Sequence, residues 1–598
     1  MNDLNDSRGR VTYVAGPVVM AVGLESSRLY DVVRVGETGL VGEVIRLSAR
    51  GATIQVYEDT SGLRLGEPVT ATHQSLAAWL GPGLLGSVYD GLQRPLGALA
   101  QQTGVFIRKG TTAPPLAVET RWEFLPLLRA GVQVSPGDVL GIVPETDQIQ
   151  HKIMVPPDVQ GRLVWIASGP QRADDVVALI EDGTEQRQVC LAQHWPVRRP
   201  RPVRSRLGFD QPLITGTRVI DTFFPVAKGG TAIIPGGFGT GKTVLQHTLS
   251  RWADADVVVY VGCGERGNEM TDVLEEFPRL EDPRTGKPLI QRTVLIANTS
   301  NMPVAAREAS IYLGVTIAEY YRDMGLDVLM LADSTSRWGE ALREVSGRLE
   351  ELPGEEGYPA YLAARLAEFY ERAGAVVCLG GQPGEQAEDP PRKGSVTIVG
   401  AISPQGGDFS EPITQNSMRI TGTFWGLDYE LSRRRHFPAI NWNNSFSLYD
   451  FSDWYDSRLS PEWNEMVKEA LALLQREEEL LEIVQLVGPD ALPEIERETL
   501  VITQILREDF LQQSAYSEED RFCPLEKAFW MLKAILVFHH ALRSRVEEGQ
   551  SIDQAQHLPA AGELARMKEI PPEQAAEKLR DLIERIPDSL TGLGRSYE

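Results

Sequence analysis

The sequence has 598 residues, more than one hydrophobic core normally supports, so several domains are expected. Its formal net charge is −24, and an acidic surface of that size argues against non-specific nucleic-acid binding. No stretch approaches the ~20 apolar residues that cross a bilayer, and residues 1–8 lack the pattern of a signal peptide. The four cysteines lie far apart without metal-ligand spacing, which predicts reduced, cytosolic thiols.

The first 200 residues contain two β-rich blocks. Short Val/Ile stretches broken by glycine fill residues 1–75 and predict a small closed β-barrel. A glycine-punctuated connector at 76–111 leads to the second β-rich block at 112–200. That block ends in the basic, proline-rich stretch 196–204, which is typical of a domain boundary.

Residues 201–440 alternate apolar strand-like runs with helical stretches, which predicts a parallel sheet covered on both faces. Its predicted strands are Thr231–Ile234, Asp256–Val261, Thr293–Ala297, Val328–Ala332 and Ala375–Leu379. Residues 441–598 change to a helical period. The helices predicted there are Met466–Val487, Glu494–Gln513 and Leu525–Glu548.

A glycine-rich loop of the form G-x-x-x-x-G-K-T lies between a predicted strand and a predicted helix. Such glycines let backbone amides wrap phosphate oxygens, and the following helix adds positive potential at its N-terminus. We expect Lys242 to neutralise the β- and γ-phosphates and Thr243 to ligate Mg²⁺. A chance glycine-rich turn is the alternative, but both flanks have the required form. The predicted phosphate-binding residues are Gly236, Gly237, Phe238, Gly239, Thr240, Gly241, Lys242, Thr243 and Val244.

Two carboxylates follow two further predicted strands of the same sheet. Glu265 and its neighbour Arg266 follow Asp256–Val261, and Asp333 ends the run Val328–Ala332. Ligands of such sheets lie at the carboxyl ends of the strands. Glu265 is therefore expected to polarise an attacking water, Arg266 to position or stabilise it, and Asp333 to hold Mg²⁺. For Glu265 and Arg266 alone the alternative is a surface salt pair, and for Asp333 alone it is a chance aspartate at the end of an apolar strand. The order of the glycine-rich loop, the Glu265 strand and the Asp333 strand favours a catalytic site.

The sequence resembles the rotary ATPases over nearly its whole length. The stretches that carry the resemblance are Gly236–Val244, Tyr260–Met270, Leu331–Val345, Leu352–Tyr361, Phe424–Asp428 and Arg435–Trp442. Two features are similar to those of catalytic A subunits of the V/A type. One is Phe238 in the glycine-rich loop, where F-type β subunits carry a smaller residue, and the other is the block 112–200, which F-type β subunits lack. The resemblance implies a multidomain α/β fold with an N-terminal β-barrel, an extra β-rich insert domain, a central P-loop (RecA-like) parallel-sheet domain and a C-terminal helical domain.

The resemblance also implies roles for residues that the bare sequence leaves as core aromatics or as a simple turn. Phe437 matches the aromatic that stacks on adenine, and Tyr516 matches the second aromatic of that pocket. The turn that begins at Gly488 matches the helix–turn–helix that pushes on a central shaft. Thr240 stands where eukaryotic relatives carry a cysteine, so a redox-sensitive P-loop is not expected.

The assembly implied by the resemblance is an alternating ring of three A and three B subunits. The B subunit, which lacks a working P-loop, supplies an arginine finger in trans, worth roughly 10³–10⁵ in rate. The further partners are a central shaft, peripheral stalks and, indirectly, a membrane ring that moves H⁺ or Na⁺. The expected substrate is ATP or ADP with Mg²⁺, and the expected location is peripheral, at the cytoplasmic face of the cell membrane.

Three alternatives remain open at this stage. A secretion or flagellar export ATPase shares the barrel, P-loop and helical plan, but is not expected to carry the 112–200 block or the long helical tail. A Rho-like helicase is disfavoured by the charge of −24 and by the absence of an aromatic-rich RNA-binding segment. A non-catalytic nucleotide binder requires a defective water-positioning loop, whereas Glu265 is intact.

Overall fold

The structure is a computed structural model that describes residues 8–104, 106–381, 390–488, 491–552 and 558–590. Six strands at the N-terminus close into a barrel in the order β1-β2-β5-β4-β3-β6, as the short glycine-broken runs predict. Alternate residues point inward, so that Val33, Val35 and Ile54 are fully buried. The six strands are β1 (Arg8–Ala15), β2 (Val18–Val22), β3 (Asp31–Val35), β4 (Leu40–Ser48), β5 (Gly51–Val56) and β6 (Pro68–Ser75).

The segment after the barrel is bound to two other parts of the fold. It contains β7 (Ala77–Leu80), β8 (Val88–Tyr89) and α1 (Leu96–Thr103). β7 pairs with a strand at Gln193–Pro196, and β8 forms the edge of the central parallel sheet beside Thr293–Thr299. The connector therefore joins the domains by backbone hydrogen bonds.

The second β-rich block forms a sandwich of two four-stranded sheets, in the orders β10-β13-β15-β16 and β12-β11-β9-β14. Its core contains Phe124, Leu140, Leu163 and Ile180, all fully buried. The strands are β9 (Trp122–Pro126), β10 (Gln133–Val134), β11 (Val139–Pro144), β12 (Gln150–Met154), β13 (Gly161–Ile166), β14 (Gly169–Gln171), β15 (Val176–Asp182) and β16 (Glu185–Cys190).

The basic stretch that follows is a packed strap between domains. It runs from β17 (Gln193–Pro196) to β18 (Ser205–Arg206). Arg198 donates from Nη2 to Glu43 of the barrel at 2.8 Å and from Nη1 to Glu308 of the central domain at 3.1 Å. Because both carboxylates are buried, the guanidinium that pairs with them fixes the barrel against the central domain.

The central domain is a twisted sheet with helices on both faces. In the described residues its strand order is β26-β25-β19-β24-β22-β20-β21-β8, with β23 and β18 paired beyond this path. The strands are β19 (Thr231–Pro235), β20 (Val257–Glu265), β21 (Thr293–Thr299), β22 (Asp327–Asp333), β23 (Gly374–Val377), β24 (Lys393–Ile402), β25 (Thr423–Phe424) and β26 (Phe446–Ser447). The helices are α2 (Arg218–Phe223), α3 (Lys242–Trp252), α4 (Gly267–Glu276), α5 (Ala305–Asp323), α6 (Thr335–Arg348), α7 (Leu362–Tyr370), α8 (Pro412–Ile420) and α9 (Tyr429–Arg433).

The strands from β25 to β8 along this order pair in parallel, which confirms the predicted parallel sheet. The structure adds two features. β24, which was not predicted as a strand, lies in the middle of the sheet between β19 and β22. β23, at the predicted strand Ala375–Leu379, pairs antiparallel with β24 and does not extend the parallel run.

The C-terminal region is helical, as its sequence period predicts. Its α-helices are α10 (Ser452–Arg458), α11 (Trp463–Val487), α12 (Glu494–Ile505), α13 (Leu525–Glu547), α14 (Pro559–Leu564) and α15 (Pro572–Ser589). A π-helical turn, Leu506–Leu511, continues α12, so the predicted helix Glu494–Gln513 is divided in two. Pro489 and Asp490, in the turn predicted to act on a shaft, lie outside the described residues.

A buried arginine joins the central domain to this helical region. Arg218, at the start of α2, is 1% exposed and donates from Nη1 to Asp520 at 2.5 Å and from Nη2 to the carbonyl of Gln512 at 2.8 Å. Its Nε also donates to the carbonyl of Phe510. The buried carboxylate of Asp520 also accepts a hydrogen bond from the amide of Ser514 at 2.6 Å.

Replacing Arg218 by methionine should lower the free energy of unfolding of the helical region by about 3–5 kcal/mol, because it leaves the Asp520 carboxylate buried without its partner. Urea denaturation followed by tryptophan fluorescence measures the change. The matched control is Arg162→Met, which removes a pair with Glu181 whose side chains are 62% and 43% exposed. The control should change stability by less than about 1 kcal/mol. Equal effects of the two substitutions would contradict the anchoring role of Arg218.

Candidate active site

The glycine-rich loop connects the carboxyl end of β19 to the first residue of α3. Gly239 and Gly241 have φ of 78° and 91°, in the left-handed region that favours glycine. At Gly236 a Cβ would lie 2.6 Å from Thr240 Oγ1 and 2.8 Å from Leu427 Cβ, so a side chain there would have to displace packed atoms. The sequence thus places glycine where the loop must turn left-handed or pack closely.

Lys242 is the first residue of α3 and folds back over the loop. Its Nζ donates to the carbonyls of Gly236 at 2.7 Å and Gly237 at 2.9 Å. Burial lowers the pKa of Lys242, while the carboxylates of Asp333 and Glu265 act in the opposite direction. A desolvated ammonium group at the N-terminus of a helix, directly after a glycine-rich loop, gives this position the features of an anion-binding site.

The loop forms one wall of a cleft of about 960 Å³ at the carboxyl edge of the sheet. Among the predicted site residues, the cleft is lined by Phe238, Gly239, Gly241, Lys242, Thr243, Val244, Glu265, Arg266, Asp333 and Tyr516. Gly236, Gly237 and Thr240 lie in the loop but do not line the cleft, and the buried hydroxyl of Thr240 donates to the carbonyl of Gly237 at 2.8 Å. Phe437 does not line the cleft either.

The carboxylates of the cleft are crowded and mostly buried. Burial raises the pKa of Glu265 well above its usual range, and the neighbouring Asp333 and Glu269 raise it further. Burial also raises the pKa of Asp333, which is 4% exposed, while the hydroxyl of Tyr260 at 3.1 Å and the charge of Lys242 oppose the shift. The site therefore concentrates carboxylates beside the glycine-rich loop, and this arrangement favours a bound cation.

Arg266 is held by an aromatic ring of the glycine-rich loop. It follows Glu265 at the end of β20, and its guanidinium carbon lies 4.6 Å from the centroid of the Phe238 ring. Phe238 is 74% exposed. A cation–π contact of this kind fixes the guanidinium over the mouth of the cleft.

Two residues of the C-terminal region, Ala515 and Tyr516, also line the cleft. Tyr516 is 92% exposed, so its ring presents a face to solvent. The segment before it is fixed by Gln513, whose amide nitrogen donates to the carbonyl of Phe437 at 2.7 Å and whose side chain bonds the carbonyl of Gly216 at 2.8 Å. The backbone of Phe437 is therefore hydrogen-bonded to the segment that leads to Tyr516, and the side chain of Phe437 is half-buried.

Four residues of α3 that line the cleft were not predicted. His247 and Arg251 follow Thr243 at four-residue intervals, and Thr248 and Trp252 follow Val244 in the same way. Four-residue spacing after the glycine-rich loop was a signal in the sequence that could have found them. Arg251 and Arg521 both lie over the Trp252 ring, at 4.9 and 5.4 Å.

The loop Ser403–Gly406 also borders the cleft, and it was missed because β24 was missed. It follows the carboxyl end of β24, at the same sheet edge as Glu265 and Asp333.

Comparison with known proteins assigns each part of this architecture. Residues 216–447 match the nucleotide-binding domain of the ATP synthase alpha/beta family, and residues 11–73 match its beta-barrel domain. Residues 113–198 match the barrel-sandwich domain of the same family, and residues 452–556 match the C-terminal domain of V and A type ATP synthase.

Curated relatives match over almost the whole chain. The A subunit of the A-type ATP synthase of Methanopyrus kandleri is 57% identical over 98% of this chain and 99% of its own length. One of the corresponding A subunits of Methanospirillum hungatei is 58% identical over 96% of this chain and 97% of its own length. This chain belongs to the family of A-type ATP synthase A subunits.

A solved structure outside this family shares the fold. The assembled ATPase EscN from the type III secretion system of enteropathogenic E. coli has a TM-score of 0.61 and 21% identity, and the match covers 88% of this chain and all of EscN. At that identity the likeness shows the fold alone. The secretion ATPase alternative is therefore much more distant than the A-type relatives.

Alkylation of the native chain at neutral pH should be slow and should leave nucleotide binding unchanged. Burial raises the pKa of all four thiols, in the case of Cys263 to about 12, and the thiolate is the reactive form. Mass spectrometry after N-ethylmaleimide treatment counts the modified cysteines, with protein denatured in guanidinium as the control that takes up four labels. Rapid labelling of Cys263 with loss of nucleotide binding would contradict this account.

Proposed function

We propose that this chain is the catalytic subunit of a rotary V/A-type ATPase, which couples ATP synthesis or hydrolysis to the transport of H⁺ or Na⁺. The observation that carries the proposal is the meeting of the glycine-rich loop, Glu265 and Asp333 in one cleft, in a chain that belongs to the family of A-type ATP synthase A subunits.

The phosphates of ATP bind on the loop Gly236–Val244. Its backbone amides and the N-terminus of α3 favour negative charge, and Lys242 supplies a full positive charge at the same point. Because Lys242 Nζ is held by two loop carbonyls, its ammonium group needs only to turn toward a phosphate oxygen to exchange one of those acceptors for it. Lys242 thereby stabilises charge on the transferred phosphoryl group.

The donor set of the cleft fits Mg²⁺. Thr243 offers a hydroxyl and Asp333 a carboxylate, and Mg²⁺ prefers oxygen ligands from one or two side chains together with substrate phosphates. The raised pKa of Asp333 and of Glu265 reflects the buried negative charge that a cation at this point would relieve. Bound with ATP, Mg²⁺ would neutralise phosphate charge during phosphoryl transfer.

Glu265 orients the water that attacks the γ-phosphate. It ends β20 beside Asp333 at the carboxyl edge of the sheet, so its carboxylate lies in the same cleft as the loop. Arg266, held over Phe238, is placed to stabilise charge that builds on the transferred group. We assign Phe437 as the aromatic that stacks on the adenine and Tyr516, which lines the cleft, as the second aromatic of that pocket.

The exposure of the cleft supports completion by a neighbouring protein. Phe238 and Tyr516, which both line the cleft, are 74% and 92% exposed. We place the B subunit of an alternating three-plus-three ring at this opening, where it supplies an arginine finger. The central shaft and peripheral stalk are further partners. In the described residues no helix has the length and apolar character to cross a membrane, and we propose peripheral attachment at the cytoplasmic face through the other subunits.

Replacing Glu265 by glutamine should leave nucleotide affinity near that of the wild type, while hydrolysis by the complex reconstituted with B subunits falls by about 10²–10⁴. The amide keeps the shape of the side chain but cannot accept a proton from water. Calorimetry measures binding, and phosphate release measures turnover.

The matched control is Glu276→Gln, since Glu276 lines the same cleft, pairs with His247 at 2.9 Å and is 54% exposed. Its turnover should stay within a few-fold of the wild type. Full activity of Glu265→Gln would remove its assigned role, and a wild-type complex that binds nucleotide without hydrolysing it would favour the non-catalytic alternative.

A further inference from the structure

Three helices of the C-terminal region bring two histidines and two glutamates together, well outside the nucleotide cleft. Glu469 lies on α11, and His539 and His540 are consecutive on α13. The Nε2 atom of His540 is 2.6 Å from Glu469 Oε1, and the Nε2 atom of His539 is 3.9 Å from the same oxygen. One ligand atom from each of the three side chains lies within 4.8 Å of the others.

A buried carboxylate fixes the orientation of His539. Glu498 on α12 is fully buried, and its Oε1 is 2.7 Å from Nδ1 of His539. Its Oε2 has no hydrogen-bond partner within the described part of the chain, so the contact with His539 is the one that holds this carboxyl group. With the Nδ1 proton donated to Glu498, the Nε2 lone pair of His539 points toward Glu469.

This arrangement is that of a metal-ligating histidine whose second ring nitrogen donates a hydrogen bond to a carboxylate. Metal-bound histidines almost always donate their second ring N–H to a carboxylate or carbonyl, which sets the tautomer and raises the basicity of the ligating nitrogen. His539 and Glu498 meet that description, with the carboxylate of Glu498 fully buried and the second ring nitrogen of His539 facing Glu469.

We propose that Glu469, His539 and His540 bind a divalent transition-metal ion of the zinc class, with water at the remaining position. Two imidazoles and a carboxylate suit Zn²⁺ and its borderline neighbours, whereas Mg²⁺ and Ca²⁺ prefer all-oxygen sites. Bonds of about 2.0–2.1 Å place tetrahedral ligands roughly 3.3 Å apart. The observed separations from Glu469 Oε1, 2.6 and 3.9 Å, lie on either side of that value, and the ligand atoms of the two histidines lie within 4.8 Å of each other, so side-chain rotations are needed to bring the three atoms to their ligand positions.

The ion ties two long helices of this region together. α11 leads to the turn at Gly488, and α13 forms the centre of the helical core, with Leu532 and Ile535 fully buried. His539 is 4% exposed, while the side chain of His540 is 60% exposed, so the site opens to solvent on one side and an ion can enter without unfolding. A ligand that binds only the folded state raises its stability.

Cobalt titration of the untagged, full-length chain tests the proposal. The protein is stripped with a chelator and titrated with Co²⁺ in the absence of nucleotide, with excess Mg²⁺ present to occupy oxygen-only sites. Visible absorption reports the coordination geometry and calorimetry the stoichiometry. We expect one equivalent to bind with the visible bands of nitrogen and oxygen ligation, and Zn²⁺ to displace it.

Two substitutions and a matched control locate the ion. His540→Gln and Glu469→Gln each remove a direct ligand, so they should weaken Co²⁺ binding by more than the roughly 10–100-fold typical of losing an outer partner. Both side chains are partly or largely exposed, so these variants should fold. The control is His73→Gln, since His73 in the barrel is 47% exposed and lies 3.8 Å from Asp31 in a histidine–carboxylate pair.

The outcomes separate the proposal from a plain ion pair. Metal-dependent thermal stabilisation in the wild type and in His73→Gln, lost in His540→Gln, supports the site. Absence of Co²⁺ binding by the wild type overturns it. Equal binding by the wild type and His540→Gln, or the near-ultraviolet band of thiolate ligation from the cysteines, also overturns it.

Discussion

The convergence of parallel strands at one edge of the central sheet determines where the candidate active site lies. β19, β20, β22 and β24 run in the same direction and end at the same level, so their following loops must share one space. β19, β20 and β22 are buried along almost their whole length, which requires nearly continuous apolar runs and leaves charged residues only at their ends. Glu265 and Asp333 therefore lie at the carboxyl ends of β20 and β22, where they share the cleft with Lys242 at the start of α3.

Gathering charge at that edge has an electrostatic cost that the fold does not cancel internally. Glu265 and Asp333 are held where burial disfavours their ionised forms, and the lysine among them is itself desolvated. Such a cluster is stabilised by a ligand that brings both phosphate oxygens for the loop and a cation for the carboxylates. We propose that the same features that make the cleft unfavourable on its own make it selective for a nucleotide with its metal.

The sequence predicted the elements whose signals are local. The strands before Gly236, Glu265 and Asp333 were recognisable because a fully buried parallel strand is an apolar run of limited length. β24 was missed because it begins with lysine, glycine and serine, and its place between β19 and β22 depends on pairings with residues more than sixty positions away. The antiparallel direction of β23 likewise follows from its partner and not from its own residues.

Contacts between distant segments explain what else could not be predicted. Arg218 and Asp520 are 302 residues apart, and nothing in either stretch indicates that they form a buried pair. The position of Tyr516 in the cleft depends on that pair and on Gln513, so the resemblance to a family could suggest Tyr516 while spacing and composition could not. Phe437 was suggested in the same way, and its role in binding adenine stays a prediction.

We propose that the cleft of this chain binds a nucleotide through its glycine-rich loop. Calorimetric titration of the isolated chain with MgADP tests it most directly, with Lys242→Ala as the variant and Lys287→Ala, at a half-exposed surface lysine, as the control. We expect one MgADP to bind to the wild type and to the control, and no measurable binding of MgADP to Lys242→Ala. Equal affinity of the wild type and Lys242→Ala would contradict it.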